Sequence, residues 1–283
     1  MTHLFNHLLL ATEHSEFDVG AEKMALAMAG RCQLPISVVF PLVSNPEYET
    51  LMPQIAAKAE REAAVKIAEL RSRASAAGVA MDVQVRRGEE PYQEIVEQAR
   101  TLGSDLIIIR RRGKRGMLAN LLVGEMVSKV VAHAPCPVLI VPRESNMWSQ
   151  GVLVAADPTE QGRGIVEIAA SVAAECALPL HLVCVVATVD LQNDAEAFVA
   201  QCLRQVQLQG VTASAGVKVG KTFDSILSAR TQTQSDLIVI GSRSDHRIGR
   251  ALLGGVAQKV MGLSEHPVLV LQISPTQPNS PHE

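Results

Sequence analysis

Laid over itself, the 283-residue chain matches its own second half. At a shift of 144 positions His7-Leu8-Leu9-Leu10-Ala11 falls on Gly151-Val152-Leu153-Val154-Ala155, and Cys32-Gln33-Leu34-Pro35 on Cys176-Ala177-Leu178-Pro179. The shift then drops to 132, with Val85 to Gly88 on Val217 to Gly220, and to 131, with Ser104-Asp105-Leu106-Ile107 on Ser235-Asp236-Leu237-Ile238. It ends at 130, with Pro137-Val138-Leu139 on Pro267-Val268-Leu269. A period this long means two tandem domains rather than a solenoid. The first change of shift reflects extra chain in the first copy, between its second strand and the next helix, over Leu42 to Gln54. The expected division is 1–143, a polar linker 144–150 that contains the only tryptophan, Trp148, a second domain 151–273, and a disordered tail 274–283 rich in Pro and Ser.

Within one copy the pattern alternates. Short apolar runs at Leu8–Ala11, Ile36–Phe40, Met81–Val85, Leu106–Ile109 and Val138–Val141 fit strands buried on both faces. Between them lie helical stretches. Val19 to Arg31 is rich in Ala and Met, and Ala56 to Ala77 is closed by Gly78. Glu89 to Leu102 is closed by Gly103. Leu121 to His133 sets Leu122, Met126, Val130 and Ala134 on one side. Alternating strands and helices predict an α/β fold: two open sheets, each of five parallel strands in the order 3-2-1-4-5 with helices on both faces. Aromatic residues make up only 3 % of the chain, so Ala, Val, Leu and Ile must fill the cores.

In such a sheet ligands bind beyond the carboxyl ends of the strands where the winding reverses, here between strands one and four. One wall of that crevice is the loop after Ala11 or Ala155. The other follows Ile109 or Ile240. In the second copy the latter loop is GSRSDHRIGRALLGG, Gly241 to Gly255. A helix start near Gly254 offers free N–H groups and a positive dipole end to an anion. Gly255 admits a phosphate closely and Gly241 a sugar or base. Arg243 and Arg247 supply charge-assisted bonds to phosphate oxygens. Asp157, at the end of strand one, offers a carboxylate to ribose hydroxyls or a metal, and serves equally as a turn-former. In the first copy the same position is RRRGKRG, Arg110 to Gly116, which fits a solvated or internally paired loop, an anion site, or nucleic acid. A net charge of −3 and the absence of interleaved aromatics set nucleic acid last.

The tandem arrangement, the segment GSRSDHRIGRALLGGVAQKV and HAPCPVLIV at His133 to Val141 resemble the universal stress protein family. That resemblance implies a stress-response regulatory protein binding ATP or AMP, with Mg²⁺ for ATP, and at most slow ATP hydrolysis. The family's nucleotide binders carry Gly, two residues, Gly, nine residues, Gly, then Ser or Thr. In the second copy Gly241 and Gly254 match, Ser244 stands at the second Gly, and Gly255 stands at the Ser or Thr. The lost hydroxyl removes one phosphate bond, about 0.5–1.5 kcal/mol. The first copy departs further. Arg110 replaces the first Gly, ten residues separate Gly113 from Gly124, Glu125 stands at the Ser or Thr, and Glu13 replaces the strand-one Asp. A carboxylate and a phosphate about 5 Å apart at an effective dielectric of about 20 repel by roughly 3 kcal/mol. The first site is therefore expected to be altered, with the neighbouring arginines paired to Glu125 and Glu13 and the crevice closed from within.

The alternative function is a nucleotide-free interaction module. The family pattern implies that the last strands, Val138–Val141 and Val268–Leu271, pair within the chain, and it leaves a further homodimer open. No nucleophile elbow, metal motif or Walker loop is present, so no catalytic residue or metal ligand is assigned. The five cysteines have no metal-site spacing. Cys32 and Cys176 recur at matching positions, which suggests either a redox pair or two small buried hydrophobes. No signal peptide and no membrane span are evident, and a cytoplasmic location is expected.

Overall fold

A computed structural model describes residues 3–45, 50–111, 124–243 and 253–273. The first copy contains β1 (Leu8–Ala11), α1 (Val19–Cys32), β2 (Ile36–Val43), α2 (Pro53–Ala76), β3 (Met81–Gly88), α3 (Pro91–Leu102), β4 (Leu106–Arg110), α4 (Glu125–His133) and β5 (Val138–Val141). The second repeats that order with β6 (Val152–Ala155), α5 (Glu160–Cys176), β7 (Leu180–Val186), α6 (Gln192–Leu208), β8 (Ala213–Val219), α7 (Thr222–Thr233), β9 (Leu237–Arg243), α8 (Gly255–Leu263) and β10 (Val268–Ile273).

Each copy has the expected parallel order, β3-β2-β1-β4-β5 and β8-β7-β6-β9-β10. The two sheets are not separate bodies. β5 and β10 pair antiparallel, Val268 with Ile140, Leu269 with Leu139 and Val270 with Val138, so ten strands form one sheet. An antiparallel join between equivalent strands is what a two-fold relation between the copies demands. It removes two hydrophobic sheet edges at once.

Alternation along each strand feeds two cores. Leu8 and Leu10 enter one face with Met24, Ala25, Ile165 and Phe198, while Leu9 and Ala11 enter the other with Ile95, Val130, Ile226 and Val260. Thus α1, α2, α5 and α6 cover one face and α3, α4, α7 and α8 the other. Both cores cross the seam, through Leu139 and Leu269 on one side and Val138, Ile140, Val268 and Val270 on the other.

Three expectations need correction. Met81–Val85 is not buried on both faces: β3 is an outer strand, and its residues alternate between exposed and half-buried. The last helix of the first copy begins at Glu125 behind the cap Gly124, and it buries Val127, Val130 and Val131; Leu122 lies outside the described residues. Cys32 and Cys176 are only half-buried, unlike Cys136, Cys184 and Cys202. The expected tail, 274–283, also lies outside the described residues.

The repeated Ser-Asp pair has a structural purpose. The Asp105 carboxylate accepts the N–H groups of Asn6 and His7 at 2.7 and 2.9 Å. That of Asp236 accepts those of Ser149, Gln150 and Gly151 at 2.7–3.1 Å. Each aspartate ties the chain entering the central strand of its copy to the start of the neighbouring strand.

Candidate functional site

Because β1 and β4 are neighbours, as are β6 and β9, the carboxyl ends of the central strands open at the expected winding reversals. The two copies differ sharply there. In the second, a cavity of about 350 Å³ lies between the end of β6 and the start of α8. Asp157, Gly241, Gly254 and Gly255 all line it, with Val183 and Ile226 among the apolar residues behind them. Gly254 is the cap of α8, so the free N–H groups of that helix start face the cavity. A Cβ built on Gly255 meets nothing within 4 Å. Arg243 ends β9, while Ser244 and Arg247 lie outside the described residues.

The opposite lip is held by α5. Thr159 caps this helix, its side chain accepting the Gly162 N–H at 3.0 Å. Gly162 packs so closely that a Cβ there would sit 2.0 Å from the Asp157 carbonyl oxygen. The glycine therefore sets how near α5 approaches the end of β6, and with it the position of Asp157.

Among the described residues of the first copy, the equivalent space is a cavity of about 10 Å³. The 131 shift sets Arg110 at the position of Gly241, and the 144 shift sets Asp18 at that of Gly162. Two glycines are thus replaced by an arginine and an aspartate, and these pair. Arg110 Nη1 donates to Asp18 Oδ2 at 2.8 Å and Nη2 to Glu13 Oε1 at 3.0 Å. Arg110 and Asp18 are 7 % and 1 % exposed, so the guanidinium fills the crevice itself. Burial opposes its charge, but the Asp18 and Glu13 carboxylates outweigh that and raise its pKa further. Ser15 adds its N–H and hydroxyl to Asp18 Oδ2 at 2.9 and 2.5 Å. A second buried acid, Glu22, is bound by Thr12 at 2.8 Å, by His14 at 2.9 Å and by Arg73.

The arginine and Glu13 meet as expected. Glu125 does not join them. It is 83 % exposed and pairs with Lys129 at 3.1 Å, one helical turn on. The Glu125 side chain is turned to solvent, so closure comes from Arg110, Asp18 and Glu13. Gly113 lies outside the described residues. Asp18 does not figure among the sequence candidates; the signal that finds it is its place opposite Gly162 at the 144 shift.

Comparison with known proteins fits this geometry. The model of the universal stress protein family matches residues 4–142 and again 149–272. The chain belongs to the universal stress protein family. Its relatives include a universal stress protein of Thermus aquaticus, 33% identical over 141 residues, which span 49% of this chain and 99% of that protein. Another, from Methanocaldococcus jannaschii, is 27% identical over 147 residues, 50% of this chain and 84% of that one. Among solved structures, a universal stress protein from Archaeoglobus fulgidus superposes with a TM-score of 0.76 at 21% identity, over 95% of this chain and 99% of that one. A functionally unknown protein from Pseudomonas aeruginosa gives 0.69 at 21%, over 95% and 93%. At such identities these structures show the fold alone, and that fold spans both copies of a tandem universal stress protein. No helix among the described residues is long and apolar enough to cross a membrane.

Proposed function

We propose that this tandem universal stress protein is a stress-response regulatory protein that binds one adenine nucleotide, ATP or AMP, in the crevice of its second copy. Its domains on this reading are 1–143 and 151–273. The observation that carries it is the asymmetry of the two crevices: about 350 Å³ framed by Asp157, Gly241, Gly254 and Gly255 in one, and about 10 Å³ around a buried guanidinium in the other. The open volume falls in the range of small-molecule sites. The residues present suit a nucleotide. Gly254, Gly255 and the start of α8 favour phosphate, Gly241 leaves room beside the strand end, and the Asp157 carboxylate is placed for ribose hydroxyls or, with ATP, for Mg²⁺. No described residue in the crevice is arranged as a general base, so the site binds and at most hydrolyses slowly. The first copy contributes structure, its crevice filled from within.

Thermal shift with AMP and with ATP plus Mg²⁺ tests this reading. At 100 times Kd the ligand adds about 2.7 kcal/mol to the stability of the folded chain. A rise in Tm that disappears in Gly254→Glu supports the assignment; no rise at millimolar nucleotide rejects it and leaves the nucleotide-free interaction module.

A further inference from the structure

We propose that His3, Cys32 and Glu175 form a transition-metal site of the zinc class, which staples the first copy to the second on the helical face opposite the α8 side of the sheet. The three come from separate places. His3 precedes β1, Cys32 ends α1, and Glu175 lies in the last turn of α5. The two-fold relation of the copies brings the ends of α1 and α5 together, and a cavity of about 120 Å³ forms there, lined also by Cys176 and Trp148. One imidazole nitrogen, one sulfur and one carboxylate oxygen lie within 4.8 Å of one another.

The donor set selects the metal. Thiolate, imidazole and carboxylate together suit zinc and its neighbours, and not magnesium or calcium, which take oxygen ligands. Bond lengths of about 2.0–2.3 Å put ligands of a tetrahedral zinc roughly 3.3–3.7 Å apart, so the widest separations, within 4.8 Å, close by up to about 1 Å while the His3–Glu175 pair opens. His3 and Cys32 are half-buried and Glu175 is exposed, which leaves that movement available. His3 Nδ1 and Glu175 Oε1 are hydrogen-bonded at 2.6 Å, and a metal held by both displaces the proton between them as the two atoms move apart. The outer contacts of a ligand shell are also in place. Glu175 Oε2 accepts the Leu4 N–H at 3.2 Å, and the His3 carbonyl accepts from Asn6 Nδ2 at 2.9 Å, which fixes the segment carrying the histidine. Cys176 lines the same cavity but stands outside the 4.8 Å group, its sulfur accepting from Trp148 Nε1 at 3.3 Å, so solvent completes the shell.

Charge balance supports a divalent ion. The metal takes the place of the Cys32 thiol proton. Binding then forms a metal–sulfur bond and releases that proton to solvent. Cys32 thiolate and Glu175 together neutralise two positive charges. Arg31, which lines the same cavity, is a cation that opposes the ion.

Cobalt(II), added to the full chain in a non-chelating reductant, is the probe. One equivalent should give a near-ultraviolet thiolate-to-cobalt absorption band and quench the fluorescence of Trp148, the sole tryptophan. Cys32→Ser should lose the band, and His3→Ala should weaken binding at least tenfold. His3→Ala changes a residue outside every helix and strand, so it remains informative if Cys32→Ser fails to fold. Absence of the band at one equivalent overturns the site, as does a band undiminished in Cys32→Ser or an unchanged affinity in His3→Ala.

Discussion

Replacing Arg110 by alanine leaves Asp18 buried with no cation against it, which should destabilise the first copy by about 3–5 kcal/mol. Asp18 Oδ1 and Arg110 Nε are buried without a hydrogen-bond partner among the described residues, so the pair as a whole stabilises less than its separation costs. Removing both side chains together should therefore cost less than the sum of the single changes. Urea denaturation of Arg110→Ala, Asp18→Ala and the double variant measures that coupling, and additive effects would contradict the ion-pair account. The cysteines give a second residue-scale prediction. Burial pushes the Cys136 thiol up to about 12 and that of Cys184 to about 11, so both stay protonated at pH 8. Alkylation of the native protein followed by mass spectrometry should leave these two unlabelled. At this scale the sequence was half legible. Arg110, Glu13 and, once set against Gly162, Asp18 stand out as departures from the second copy, whereas the partner of Glu125 depends on a side-chain direction that no spacing reveals.

The elements were more legible because their patterns are local. β1 and β5 are continuous apolar runs, as is β4 up to Arg110, and Gly103 ends α3 in the left-handed conformation that favours glycine. The outer strands escaped the same reading. Met81 to Val85 is apolar only at alternate positions, and neighbours on one side alone leave half of them to solvent. The start of α5 carries a sharper constraint. Gly162→Ala would drive a Cβ into the Asp157 carbonyl oxygen, and the backbone must shift to relieve it. A loss of about 1–3 kcal/mol is expected, as for other overpacked sites, together with weaker nucleotide binding because Asp157 moves. Gly164→Ala, where the added Cβ meets nothing within 4 Å, is the control and should be close to neutral. Equal effects of the two changes would remove close packing as the reason for Gly162.

At the scale of the molecule, the repeat foretold the tandem sheets and the family resemblance the pairing of their last strands, which meet antiparallel. What it left unseen is what the axis assembles across the seam: two cores shared between the copies, and contacts such as Gln272 Nε2 to the Val131 carbonyl at 3.3 Å. Leu139 lies at the centre of this join, opposite Leu269 and 1 % exposed. Leu139→Ala should cost about 2–5 kcal/mol, and both copies should still unfold in one transition. Two resolved transitions in calorimetry would show that the seam does not couple them. The same repeat makes the functional claim testable by counting. Isothermal titration with AMP should find one nucleotide per chain, and none in Gly241→Arg, which sets in the second copy the side chain that fills the first. Two nucleotides per chain, or binding undiminished in Gly241→Arg, would contradict a closed first crevice and an open second one.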